Sequence, residues 1–209
     1  AFIAGIDVVL RHPAVMSYDC HGEGWHVYDL DPTVKAFQQR DLPTSDELPE
    51  PVRRAAAAGA PGYSGRKRGD IQHRQVAVQH SGSSAWIHAH LSLGNGEGVI
   101  DFERALDSIV QTNQRLGHPM ARSLVRMDGE YGSVPFFSAC RERRLPFITR
   151  LNRPKLYEDP DILARLRAAT WHLVPDSGAG PQRSTVDLGT LTVAPGERTR
   201  RPDGSRYDS

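Results

Sequence analysis

The chain has 209 residues, a formal net charge of +1, 38% hydrophobic and 24% charged residues. That length suffices for one sizeable core, or for a core plus part of a second unit. The near-neutral total excludes a polycation, and the absence of an apolar run near 18 residues predicts no membrane-spanning helix. Cys20 and Cys140 lie far apart without CxxC spacing, which indicates free thiols in a reducing, cytoplasmic compartment.

The two ends have different character. Residues 1–10 are apolar and predict part of a helix, so residues 1–24 are interpreted as a partial N-terminal segment. Residues 197–209 are polar and contain no closing element. These features predict a fragment of a longer chain.

The first half of the chain predicts three strands. Residues 25–31 form an apolar stretch that ends at Asp31, and we expect a strand there. Residues 34–62 are rich in proline, alanine and glycine, which indicates a mobile insert. Residues 71–80 and 85–92 alternate with period two around Ser-Gly-Ser-Ser, as in a hairpin.

The second half alternates helices with strands. Apolar residues at helical spacing predict a helix over 98–116 that is stopped by Gly117 and Pro119. The further predictions are strands at 123–127 and 145–150, helices at 134–144 and 160–170, and strands of a different unit at 171–174 and 186–193. This order predicts an α/β fold with a mixed five-stranded sheet flanked by helices.

Two of the predicted strands end in a carboxylate followed by a turn. Asp31 precedes Pro32, and Asp128 precedes Gly129. If a right-handed crossover returns the fourth strand beside the first, both aspartates reach the same sheet edge, where ligands collect in open α/β sheets. Mg²⁺ prefers such oxygen ligands. Asp29 lies on the same strand face as Asp31. The alternative to a metal-binding role is that Asp31 and Asp128 are ordinary turn-forming aspartates.

Three strings carry a resemblance to a known family: GYSGRKRGD (62–70), LSLGNGEG (91–98) and LVRMDGEYG (124–132). They resemble the catalytic core of bacterial insertion-sequence transposases, the DDE enzymes. The family's D-x-T motif is matched by Asp31 and Thr33. Its R-x-D-x-x-(F/Y)-G motif is matched by the stretch from Arg126 through Asp128 to Gly132. The resemblance covers roughly residues 25–155.

The resemblance implies a ribonuclease H-like catalytic core, assigned to residues 25–170, with residues 171–209 as the truncated start of a β-rich insertion. It implies a DNA transposase that cleaves and joins phosphodiester bonds with Mg²⁺ or Mn²⁺ held by Asp31 and Asp128. The implied partners are DNA, namely the element ends and the target, and a second copy in a homodimer. No membrane is involved.

Clustered basic residues are the expected DNA contacts. Phosphate contact depends on local patches more than on total charge, and the candidates are Arg66, Lys67, Arg68 and Arg126. The alternative for the 66–68 cluster is a solvated loop.

One part of the family pattern is missing. The third acid, a glutamate on a late helix, lies in a Y-x2-R-x3-E pattern that does not follow Asp128, and Glu130, Glu142 and Glu158 are weak substitutes. This gap keeps two alternatives open: an inactive remnant that binds only DNA or a partner, and a ribonuclease H-like nuclease without strand transfer. A histidine metal site around His73, His80, His88 and His90 is less favoured than surface histidines.

Overall fold

A computed structural model describes residues 2–19, 21–36, 59–63, 68–93, 98–150, 158–173, 184–189 and 205. The fold below refers to these residues.

The described chain is built around a mixed sheet of seven strands. Five strands were predicted, and the sheet has two more because the short strands at Ser17–Tyr18 and Ala60–Tyr63 also pair with it. The strands are β1 (Ser17–Tyr18), β2 (Gly24–Ala36), β3 (Ala60–Tyr63), β4 (Arg68–His80), β5 (Ala85–Leu93), β6 (Ser123–Met127) and β7 (Phe147–Ile148).

The strand order places the first long strand at the centre. β2 pairs antiparallel with β4 on one side and parallel with β6 on the other. β5 and β3 pair antiparallel with successive parts of β4, and β7 pairs parallel with β6. The hairpin and the parallel neighbour of β2 therefore follow the predicted arrangement. An α/β fold with a mixed sheet is confirmed, and its topology is compatible with a ribonuclease H-like core.

Helices connect and flank the sheet. They are α1 (Phe2–Leu10), α2 (Gly98–Leu116), α3 (Val134–Glu142) and α4 (Pro160–Ala168). None of the described helices is long and apolar enough to cross a membrane. Two short strands, β8 (His172–Leu173) and β9 (Ser184–Thr185), pair antiparallel in a separate small sheet. The strand predicted from residue 186 is therefore wrong over 186–189, because β9 ends at Thr185; the residues beyond 189 lie outside the described part.

The core lies between one face of the sheet and helices α2 and α3. Alternate residues of the central strands point to this face, so Tyr28, Leu30, Val125 and Met127 are buried together. From α2, the buried partners are Phe102, Ala105, Leu106 and Ile109, and from α3, Ala139 and Cys140. We call this the helix-covered face; the residues between them in sequence point to the opposite face.

Asp31 does not end its strand, in contrast to the sequence prediction. β2 continues through Pro32 to Ala36 because β4 still pairs with it there. The parallel ladder with β6 does end at Leu30. Pro32 lacks an amide hydrogen and is tolerated because β2 has become an edge strand on that side.

The predicted insert at residues 34–62 is also too long at both ends. Residues 34–36 belong to β2, and residues 60–62 belong to β3, which pairs with β4. Residues 37–58 lie outside the described part. The sequence pattern did not predict β3 because it contains Pro61 and Gly62, and both residue types are unfavourable in strands.

The segment before β2 packs on the sheet and on α2. Asp7 of α1 accepts hydrogen bonds from the Arg115 side chain at 2.8–3.2 Å, and Leu10 is fully buried. At the hairpin turn, a Cβ on Gly82 would lie 1.9 Å from the carbonyl oxygen of Val15. Glycine is therefore required for this close approach.

Candidate metal and catalytic site

The two aspartates follow directly on paired residues of neighbouring parallel strands. Leu30 of β2 is the partner of Met127 in β6. Asp31 and Asp128 are the next residues on the two strands, and both are exposed. Neighbouring strands lie about 4.8 Å apart. The register thus brings the two predicted ligands to the same edge of the sheet.

Both carboxylates belong to the face opposite the helices. Asp29 and Arg126 are partners in the β2–β6 register, and their side chains meet there: Nη2 of Arg126 donates to Oδ2 of Asp29 at 2.8 Å. Asp31 lies two residues further along the same strand face. Asp128 has φ −79° and ψ 179°, an extended conformation that continues the alternation of β6. Its side chain therefore leaves on the side of Arg126.

Local hydrogen bonds orient each aspartate. Oγ1 of Thr33 donates to Oδ2 of Asp31 at 3.1 Å. Asp128 caps a 3₁₀ turn over residues 129–131, with Oδ1 accepting from the Glu130 amide at 2.8 Å. Its carbonyl accepts from Oγ1 of Thr149 at 2.6 Å. Asp128 is therefore held from both sides, by its own turn and by the segment after β7.

Glu130 does not turn toward the two aspartates. Its carboxylate forms an ion pair with Nη2 of Arg74. Arg74 lies at the same strand parity as the buried Val76 and Val78, so it emerges on the helix-covered face. The third acid suggested at Glu130 is thus engaged on the other side of the sheet.

The other two substitute acids are not assembled with the aspartates either. Glu142 at the end of α3 accepts a hydrogen bond from Ser138 at 3.2 Å. Glu158 lies just before α4 and is exposed. Within the described ranges, no group of three or more histidine, cysteine, aspartate or glutamate side chains could hold a metal ion.

The basic residues proposed for DNA contact have unequal support. Residues 66 and 67 lie outside the described part, and so does the side chain of Arg68. Arg126 lies beside the candidate site, but its guanidinium is paired with Asp29, and this hydrogen bonding raises the pKa of Arg126. Arg150, which is not among the four candidates, lies beside the turn after Asp128: its Nε would be 3.0 Å from a Cβ on Gly129.

A cluster of three histidines lies at the opposite end of β2. Nδ1 of His26 is 3.2 Å from Nε2 of His80, and the rings of His26 and His118 stack at 3.7 Å. His26 and His80 are buried. Burial lowers the pKa of each to about 4, with the neighbouring histidines adding to it. The assumption of surface histidines was therefore wrong for His80.

The histidines of β5 have partners on α2. Nδ1 of His88 is 2.8 Å from Oγ of Ser108, and Nε2 of His90 is 3.4 Å from Oδ1 of the buried Asp101. Nη1 of Arg104 lies 3.0 Å from the same nitrogen of His90. These contacts hold α2 against the hairpin.

Comparison with known proteins adds no identification. No family model matches the chain, and no curated protein matches it significantly. We therefore infer the function from the residues and their geometry.

The two aspartates fit a hard divalent cation as a partial ligand set. Each is exposed and uses one oxygen in a local hydrogen bond. Neither forms an ion pair within the described part of the chain. Mg²⁺ usually takes one or two carboxylates and keeps several waters, so Asp31 and Asp128 could hold one such ion together.

Proposed function

We propose that this chain contains the catalytic core of a DNA transposase of the DDE type. The observation that carries the proposal is the parallel register of β2 and β6, in which Asp31 and Asp128 follow the paired residues Leu30 and Met127. The order of antiparallel hairpin, helix and parallel strand also supports a ribonuclease H-like core.

In this proposal the two aspartates hold Mg²⁺ or Mn²⁺ at the sheet edge. The ion would lower the pKa of a bound water or a DNA 3′-hydroxyl and stabilise the charge on the phosphate. The protein's own task is to fix the ligands, because phosphoryl transfer depends mainly on positioning and charge neutralisation. Thr33 and the 3₁₀ turn at residues 129–131 do this for Asp31 and Asp128.

The basic residues supply the DNA-binding part of the proposal. The cluster at residues 66–68 would contact phosphates without reading sequence. Arg126 would act differently, because its charge is partly used by Asp29. The partners proposed are the element ends, a target DNA and a second copy of the chain.

An inactive remnant that binds DNA or a protein partner is the second candidate. It is favoured by the ion pair between Glu130 and Arg74, which engages a candidate third acid away from the two aspartates. Such a protein would keep the fold and the basic cluster but would have no use for a metal at Asp31.

A strand-transfer assay separates the two candidates. The product of the whole reading frame that encodes these residues is incubated with Mg²⁺ and DNA, beside Asp31→Asn and Asp128→Asn variants. Loss of several kcal/mol of charge stabilisation predicts at least about 100-fold slower cleavage and joining in either variant. Equal activity in wild type and both variants would refute the proposal. No activity in any of them would favour the remnant.

A further inference from the structure

A largely buried arginine lies on the opposite face of the sheet from the candidate site. Arg74 lies in β4, paired with Val34 of β2 and Ser92 of β5. Its side chain is only 12% exposed. A charged residue at an inward position of a strand is costly unless it is paired. The contacts of Arg74 should therefore explain its position.

Three contacts surround the guanidinium. It forms the ion pair with Glu130, and its Cζ lies 6.0 Å from the ring centroid of Tyr131. A Cβ on Gly98 would lie 3.3 Å from Nη1, so the guanidinium also abuts the first residue of α2. Arg74 thus joins β4, the start of α2 and the 3₁₀ turn after β6.

The turn that Arg74 holds is the one that orients Asp128. The side chain of Glu130 is bound by Arg74, while its backbone amide donates to Oδ1 of Asp128 at 2.8 Å. Tyr131 is fully buried, with its ring centroid 4.7 Å from that of Phe102. The turn is therefore fixed on the helix-covered face, and its amide is presented to Asp128 in a defined direction.

We infer that Arg74 is a positioning residue for the metal ligand Asp128, acting through Glu130. This inference rests on the proposed function, because it assumes that Asp31 and Asp128 share a cation. It also assigns Glu130 a role: this acid is the anchor of the turn and not the third ligand. Groups that orient a metal ligand typically change metal affinity 10- to 100-fold when removed.

The test is a Mn²⁺ titration followed by the electron paramagnetic resonance signal of the free ion. Arg74→Met and Glu130→Gln each remove the ion pair and should weaken Mn²⁺ binding about ten-fold. Glu130 is 42% exposed, so Glu130→Gln should fold even if Arg74→Met does not. The double variant should bind no more weakly than the single ones, because both changes remove one interaction. Arg74→Lys should restore part of the affinity.

Arg143→Met is the matched control. Arg143 is 19% exposed, and its Nε donates to Oδ1 of Asp107 at 2.7 Å. Its removal therefore breaks a comparable ion pair away from the candidate site. It should lower the melting temperature and leave Mn²⁺ affinity unchanged.

The outcomes distinguish this inference from the proposed function. If wild type shows no Mn²⁺ binding that Asp31→Asn removes, the proposed function fails and the inference falls with it. If wild type binds at Asp31 but Arg74→Met and Glu130→Gln bind equally well, only the positioning role is refuted. Tighter binding by Arg74→Met would show that Arg74 withholds Glu130 from the metal, and this also overturns the inference.

Discussion

The buried histidine cluster makes the stability of this protein depend on pH in a defined window. His26 and His80 are buried against each other, with His118 stacked on His26. The surrounding groups compensate a proton there only in part. Asp29 favours protonation of His80, but Arg11 opposes protonation of His118. The Tyr28 and His80 rings make a T-shaped contact. The native state therefore keeps these imidazoles neutral.

The direction of the change in stability with pH follows from proton binding. The pKa of His26 and of His80 falls from 6.5 to about 4 on folding. Below pH 6.5 both histidines become protonated in the unfolded chain but stay neutral in the native state. Stability therefore falls as the pH falls toward 4. At pH 4.5 the loss is roughly 2–3 kcal/mol for one such histidine, and several kcal/mol for the coupled pair. This is a large part of a typical stability of about 5–15 kcal/mol.

Urea unfolding between pH 7.5 and 4.5 measures this loss. His80→Gln should make the pH dependence clearly smaller, whatever its effect at pH 7.5, while His26, His88 and His118, whose pKa values are also lowered, keep the remainder. His172→Gln is the control, because His172 is exposed in β8. Hydrogen bonds lower the pKa values of the Asp7 and Asp19 carboxyl groups. These two groups therefore contribute little to the change in stability in the upper part of this pH range. A wild-type stability that does not change with pH, or an undiminished dependence in His80→Gln, would refute the reasoning.

Three further predictions concern packing, DNA and activity. Gly82→Ala should destabilise the protein by about 1–3 kcal/mol in urea unfolding, because its Cβ would collide with Val15. Gly5→Ala in α1 has open space and should be neutral or stabilising; the same loss in both would contradict the packing argument. Alanine at all of residues 66–68 should weaken binding to unrelated DNA sequences alike and reduce the salt slope by up to about 3 in gel shifts; an unchanged slope would make the cluster a solvated loop. The 209-residue chain alone should bind Mn²⁺ weakly and not nick DNA, since Glu130 is held by Arg74; robust metal-dependent nicking would show that another acid completes the site.

Elements with strong local patterns were predictable from the sequence. Helix α2 and strand β6 have the predicted bounds of 98–116 and 123–127. In α2, apolar residues recur at helical spacing and Gly117 follows with a positive φ of 74°, which is a regular helix end. The hairpin of β4 and β5 was visible from its period-two alternation.

Features that depend on tertiary context were not predictable. β2 passes through Asp31 and Pro32 because β4 pairs with it there, and no local signal shows that pairing. The histidine cluster joins residues 26, 80 and 118, which are distant in sequence. Arg74 did carry a signal: it occupies an inward position of an alternating strand, where a charge requires a partner.

The candidate site was predictable in part. The position of Asp31 beside Asp128 followed from the expected crossover, and the register agrees with it. The pairing of Asp29 with Arg126 was not expected, because partners across parallel strands depend on register and not on spacing in the sequence. The third acid, expected on a late helix whose pattern does not follow Asp128, stays a prediction.

The most direct measurement of the central claim is the anomalous scattering of Mn²⁺ in crystals of this protein. We expect one Mn²⁺ ion bound to carboxylate oxygens of both Asp31 and Asp128 at about 2.0–2.2 Å, as for small octahedral cations. The peak should disappear in Asp128→Asn. Carboxylates that lie more than about 8 Å apart, beyond the span of a one- or two-metal site, or Mn²⁺ bound elsewhere with none between them, would contradict it.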